Sequence, residues 1–199
     1  MSYLSPEFAV CFFAFLVIYW ALVKWGQAQK LLLLAASYGV YGSLDLNFAL
    51  TLAIYSLCML VLLEAARAWP QARHWIVGVG IAASVANLAM FKYFDFFREA
   101  IQSGAAAAGL NWALPAVDIL MPVGISFYTF QSIAYLAAVG SGEREPANWL
   151  DSLLYMAFFP TLLAGPICRP KVLLHQIEVN TPRRIVNPNL ATWLLLSAL

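Results

Sequence analysis

The sequence predicts an all-α fold: a polytopic integral membrane bundle of helices with one re-entrant, broken element. Hydrophobic residues make up 63% of the 199-residue chain and charged residues only 11%, against roughly 25% charged in ordinary soluble domains. Mean hydropathy is +0.77, so a soluble globule would lack a polar shell. Polar and helix-breaking residues also interrupt segments apolar enough for a bilayer. Lipid does not tolerate bare backbone, so such breaks must be covered by protein or line a cavity. The net charge of +1 points to no polyanion or nucleic-acid partner.

A spanning helix needs about 20 mostly apolar residues. Residues 6–23 supply the first, with Pro6 suited to an opening turn. Glu7 stands where a cleavable signal would be basic, and no small-residue cleavage site follows, so this span is expected to stay. Residues 24–30 read as a short basic connection. Residues 31–63 are too long for one crossing. Turn residues around Gly39, Gly42, Asp45 and Asn47 divide them into crossings at 31–43 and 47–63. Residues 64–74 form a polar link, 75–91 the next crossing, and 92–98 its wet aromatic end. A Gly/Ala-rich loop is expected over 102–118, and another span, opened by Pro122, over 119–139. Residues 149–167 are apolar yet carry Pro160, Gly165 and Pro166. Proline inside a helix removes a hydrogen bond and clashes with the preceding turn. This segment is therefore expected to enter and leave on one face. Residues 169–188 read as a polar, proline-punctuated stretch, and 190–199 begin another apolar helix.

Short loops rich in Lys and Arg mark the cytoplasmic side. Lys24 and Lys30, then Arg67 and Arg73, then Arg144 fall on one side of this arrangement. A re-entrant 149–167 adds Arg169, Lys171, Arg183 and Arg184 to that side and leaves the N-terminus outside.

On a helix of 3.6 residues per turn, Gly124, Tyr128, Gln131, Ser132 and Tyr135 share one stripe. Ile125, Phe127, Ile133 and Ala137 lie on the far side. Two readings stay open: the polar wall of a substrate tunnel, or hydrogen bonds between helices worth only about 0.6 kcal/mol each. Asn148 and Asp151 open the broken element, where Asp151 can cap free N–H groups. Arg169 closes it, either pairing with an acid or meeting an anionic headgroup. Gly165-Pro166 makes a bend where a ligand can approach the backbone. Cys11, Cys58 and Cys168 show no metal or disulfide spacing, so no metal site is expected. No Gly-x-Ser-x-Gly elbow or phosphate-binding Gly-rich loop is present. His74 and His175 sit outside the apolar spans, where neither reads as a catalytic base.

Residues 121–131 read Met-Pro-Val-Gly-Ile-Ser-Phe-Tyr-Thr-Phe-Gln, and 158–169 read Phe-Phe-Pro-Thr-Leu-Leu-Ala-Gly-Pro-Ile-Cys-Arg. These two phrases resemble the signature of the membrane-bound O-acyltransferases, most closely the branch that O-acetylates alginate and other exported polysaccharides. The resemblance runs from the first span onward. It departs from the family pattern at Ala138, Gly140, Ser141 and Thr161. It implies that residues 1–199 are the N-terminal part of a single acyltransferase domain, with the catalytic histidine in a later helix beyond Leu199. It further implies an acyl thioester donor such as acetyl-CoA, a polysaccharide acceptor, periplasmic or extracytoplasmic acetyltransferase partners, and the bacterial inner membrane. The expected tunnel or substrate residues are Tyr128, Gln131, Ser132, Tyr135, Asn148, Asp151, Gly165, Pro166 and Arg169. A rival expectation is a non-catalytic acyl-transport or scaffold subunit, or an inactive truncated remnant, because no catalytic base is evident in these residues.

Overall fold

The computed structural model describes residues 6–107, 121–163 and 168–178, with Asn187, Asn189, Leu190 and Trp193. Every regular element among them is helical: α1 (Pro6–Ala21), α2 (Gly26–Leu44), α3 (Leu46–Ala68), α4 (Arg73–Ala107), α5 (Ile125–Gly140), α6 (Trp149–Ala157), α7 (Phe159–Leu163) and α8 (Pro170–Glu178). A 3₁₀ turn, Pro70–Ala72, joins α3 to α4.

Large apolar side chains lie on the outside as well as in the core. Along α3, Leu46, Leu50, Ile54, Leu57 and Val61 form an outward stripe with every member more than half exposed. The inner face of that helix buries Ser56 beside Leu52, Met59 and Leu63. Elsewhere Lys30, Ser37, Ser84, Gln131 and Asp151 are all buried. A helix that carries a long apolar stripe on its outside suits an apolar solvent. The segments Leu46–Ala68 and Pro70–Tyr93 are long and apolar enough to cross a membrane.

Helix α6 is the hub, packed against α2, α3, α5 and α8. Close approach of α4 and α5 depends on small residues. A Cβ on Gly80 would lie 2.9 Å from Leu136 Cδ1, and one on Gly140 would lie 2.9 Å from Val77 Cγ1.

The boundary between α2 and α3 falls where the turn residues predict, at Asp45, whose side chain accepts from Asn47 N at 2.7 Å. Other boundaries move. The expected basic link at 24–30 is short, because α2 already begins at Gly26 and Gln29 and Lys30 lie buried within it. The polar link at 64–74 is largely helical, with α3 running on to Ala68. Residues 92–98 do not end a helix. No proline interrupts residues 73–107, and α4 continues for 35 residues. The span expected at 119–139 starts helically only at Ile125. Gly124 (φ 74°) turns the chain just ahead of it.

The break in 149–167 falls at Phe158 (ψ 103°), two residues before Pro160. In a continuous helix the Pro160 ring would strike the carbonyl of Met156. Ending α6 at Ala157 puts Pro160 in the first turn of α7, where no N–H is needed. Phe159 N donates instead to Ser37 Oγ of α2 at 3.3 Å. The polar stretch expected from 169 contains helix α8, formed because Leu173, Leu174 and Ile177 bury one face of it. The expected bends at Gly165 and Pro166, and most of the loop at 102–118 and the segment 190–199, lie outside the described residues.

Two of the basic segments assigned to one side, those of Arg67 and Arg73 and of Arg144, meet at one end of the bundle. Arg67 donates two bonds to Glu64 at 2.8 Å, and further bonds to the carbonyls of Pro146 and Ala147. Arg73 pairs with Glu145 at 2.7 Å, and Arg144 pairs with Glu178 at the end of α8. The α3–α4 turn, the α5–α6 loop and the end of α8 are thereby clamped together.

Candidate functional site

Two polar assemblies flank the broken helix. The first fixes the start of α6. Asn148 is its N-cap, with Oδ1 accepting from Asp151 N at 2.9 Å. Asp151 therefore is not the cap that its position suggested. Its carboxylate is buried (1% exposed) and forms an ion pair with Lys30 Nζ of α2 at 2.7 Å. Asn148 Nδ2 donates to the other carboxylate oxygen at 2.6 Å. A charge buried without a partner is severely penalised, so each member requires the other.

The second assembly is the stripe on α5. Tyr128, Gln131, Ser132 and Tyr135 are all at most 1% exposed, as a shared inward face requires. Ile125, expected on the outer side, is buried too. The half nearer Gly140 follows the helix-bonding reading. Tyr135 Oη accepts from Ala147 N at 2.7 Å and lies 3.1 Å from Ser152 Oγ. Gln131 Nε2 donates to the Tyr155 carbonyl. Tyr155 Oη in turn donates to Cys168 O at 2.8 Å, tying the end of α6 to the start of α8.

The half nearer Gly124 differs. The hydroxyls of Tyr128, Thr129 and Ser132, and Oε1 of Gln131, are buried without a hydrogen bond of good geometry. Thr129 and Ser132 face the hydroxyl of Tyr55, which bonds Ser84 Oγ at 3.2 Å. The Tyr55 and Tyr128 rings lie 4.9 Å apart. Such a concentration of unsatisfied buried groups is uncommon and calls for a partner. This stretch lies between α3 and α5, fully buried. Tyr41 closes it toward α7, donating to Val123 O at 2.7 Å.

Arg169 is drawn into neither assembly and has no acid partner among the described residues. It lines a groove with Lys171 and His175. His74 is exposed at the first turn of α4. No group of three His, Cys, Asp or Glu side chains able to hold a metal occurs among the described residues. Lys30, Ser152, Tyr155, Tyr55 and Tyr41 escaped the sequence reading. Only Lys30 carried a usable signal, a lone charge directly before an apolar run.

Replacing Tyr135 by phenylalanine leaves Ala147 N without its acceptor. The expected cost is about 1–3 kcal/mol, with faster hydrogen exchange at the Ala147 amide. An unchanged exchange rate there would count against Tyr135 as the tie between α5 and the start of α6.

Fold and site define an all-helical protein of the membrane class, with a polar seam buried against a broken helix. The chain is 33% identical over 180 residues to the probable alginate O-acetylase AlgI of Pseudomonas putida, covering 86% of this chain and 36% of that protein. It is 27% identical over 151 residues to the peptidoglycan O-acetyltransferase of Helicobacter pylori, covering 62% and 27% of the two chains. With the teichoic acid D-alanyltransferase of Lacticaseibacillus rhamnosus it shares 29% over 132 residues, covering 59% and 32%. The chain belongs to the membrane-bound O-acyltransferase family. It spans about a third of the length of the curated relatives it matches. No family model and no solved structure matches it.

Proposed function

We propose that this chain forms the membrane core of an O-acyltransferase that moves acetyl groups towards an exported polysaccharide of the alginate type. One observation carries the reading: the unsatisfied hydroxyl face of α5, at Tyr128, Thr129 and Ser132, buried beside the broken α6–α7 element. An acyl group crossing between two aqueous sides needs a polar, protein-walled path, and a broken helix is where such a path is tolerated. The donor is an acyl thioester such as acetyl-CoA on the cytoplasmic side. A base takes the proton of the acceptor hydroxyl, its oxygen attacks the thioester carbonyl, and the thiolate leaves. Tyr128, Gln131 and Ser132 line the path in this scheme. Lys30, Asn148 and Asp151 fix the start of the broken element. Periplasmic or extracytoplasmic acetyltransferases are its partners in acetylating the polymer.

The membrane is the bacterial inner membrane, crossed several times with the N-terminus outside. Re-entry of α6–α7 fits the contacts at one end of the bundle, where Arg67 of α3 bonds Ala147 just before α6 and Arg144 of the same loop pairs with Glu178 at the end of α8. Thiol labelling of single cysteines at Ser141 and Asn180 is expected to find both on one face. Opposite faces would remove the re-entrant element.

His74 and His175 both stand away from the seam, which favours one second reading: a non-catalytic acyl-transport or scaffold subunit. Deleting the gene and assaying acetyl esters on the exported polymer tests the main reading, with loss of ester expected. Unchanged ester content overturns both readings. Replacing every histidine that the gene encodes, one at a time, separates them. If no replacement lowers acetylation, the scaffold reading holds.

A further inference from the structure

A groove of about 990 Å³ opens between the last turns of α5 and the start of α8. Its rim carries Arg169, Lys171 and His175, all exposed. None of these three side chains has a hydrogen bond or ion pair among the described residues. Glu143 is the opposing charge on the rim, and Arg144 beside it is already paired with Glu178. The wall is Ala134, Ala137 and Ala138. These alanines continue the outward face of α5 that begins with Phe127 and Phe130, both exposed, since Phe130, Ala134 and Ala138 follow at i+4 steps. Small side chains on an otherwise aromatic, outward-facing stripe leave a slot. The slot runs from the basic rim toward the apolar surroundings of the bundle.

We propose that this groove holds an anionic phospholipid, its phosphate at Arg169 and Lys171 and one acyl chain along the alanine slot. A soluble phosphate compound would use the basic rim but would have no need of a slot opening onto the apolar face of α5. A lipid uses both, and basic residues at this level are attracted to anionic headgroups. The inference rests on the reading that the bundle is embedded in a bilayer.

The test places the full gene product in phosphatidylcholine nanodiscs, titrates phosphatidylglycerol, and measures lipid retained on the protein by native mass spectrometry. Saturable retention of phosphatidylglycerol over phosphatidylcholine is expected. The double change Arg169→Gln, Lys171→Gln alters only exposed side chains. It is expected to weaken retention about thirtyfold, the worth of two basic residues near an anionic surface. Ala137→Trp, which fills the slot, is expected to weaken it as well. Equal retention of the two lipids, or no effect of the double change, overturns the proposal. So does displacement of the lipid by acetyl-CoA or inorganic phosphate, which would make the occupant a soluble anion. Failure of the protein to enter nanodiscs would instead sink the membrane reading itself.

Discussion

Lys30→Met is expected to destabilise the protein by about 3–5 kcal/mol, the cost of leaving one member of a buried ion pair alone. Asp151 is 1% exposed and Lys30 2%, so water cannot take over for the lost partner. The carboxylate would keep only its bond from Asn148 Nδ2 and could not remain charged there at little cost. The pair joins the first turns of α2 to the cap of α6. Loss of Lys30 should therefore loosen the broken element before it disturbs α3 or α4. The double variant Lys30→Met, Asp151→Leu removes both charges and keeps similar volume, and is expected to recover most of the loss. Thermal unfolding of the three proteins in one detergent decides it. A double variant as unstable as the single one would mean that shape, and not charge, holds α6 in place.

Gly124→Ala is expected to cost about 2–4 kcal/mol, from two sources acting at one atom. The residue sits at φ 74°, a left-handed conformation that costs an alanine roughly 1–2 kcal/mol. An added Cβ would also lie 2.6 Å from Leu162 O and 2.7 Å from Tyr41 Oη. Neither neighbour moves freely: one is backbone in α7, and the other is held by its bond to Val123 O. The methyl group should push α7 away from the start of α5, at the end of the unsatisfied stretch. Gly39 is the control. It lies inside α2, where an added methyl would meet nothing within 4 Å, and Gly39→Ala is expected to stabilise by about 0.5–1 kcal/mol. The contrast is read from the shift in unfolding temperature of each variant. Equal and small effects would show that the close packing of Gly124 against α7 is not needed.

Much of the helical plan was legible in the residues. Apolar length marked the helices, and Asp45 marked the α2–α3 turn because its short side chain bonds Asn47 N. Spacing alone put Tyr128, Gln131, Ser132 and Tyr135 on one face, and all four are buried. Proline predicted a break near 160 but missed its position by two residues. The clash acts on the preceding turn, not at the proline itself. Helix α8 was missed because Arg169, Pro170 and Lys171 make its start look like a loop. Its apolar face becomes visible only once α5 and α6 offer it something to cover.

The sequence by itself determined the helical, apolar character of this chain and the family that its two phrases resemble. Those properties follow from composition and local periodicity, which act over a few turns. Tertiary structure alone decided which polar groups are paired and which are left over. Lys30 and Asp151 are 121 positions apart, and only packing of α2 on α6 brings them to 2.7 Å. Tyr128 and Tyr135 look alike in the stripe, yet one keeps an unsatisfied hydroxyl and the other bonds Ala147 N. What faces a side chain across a helix interface is set by the fold, and no spacing along one stretch of sequence encodes it.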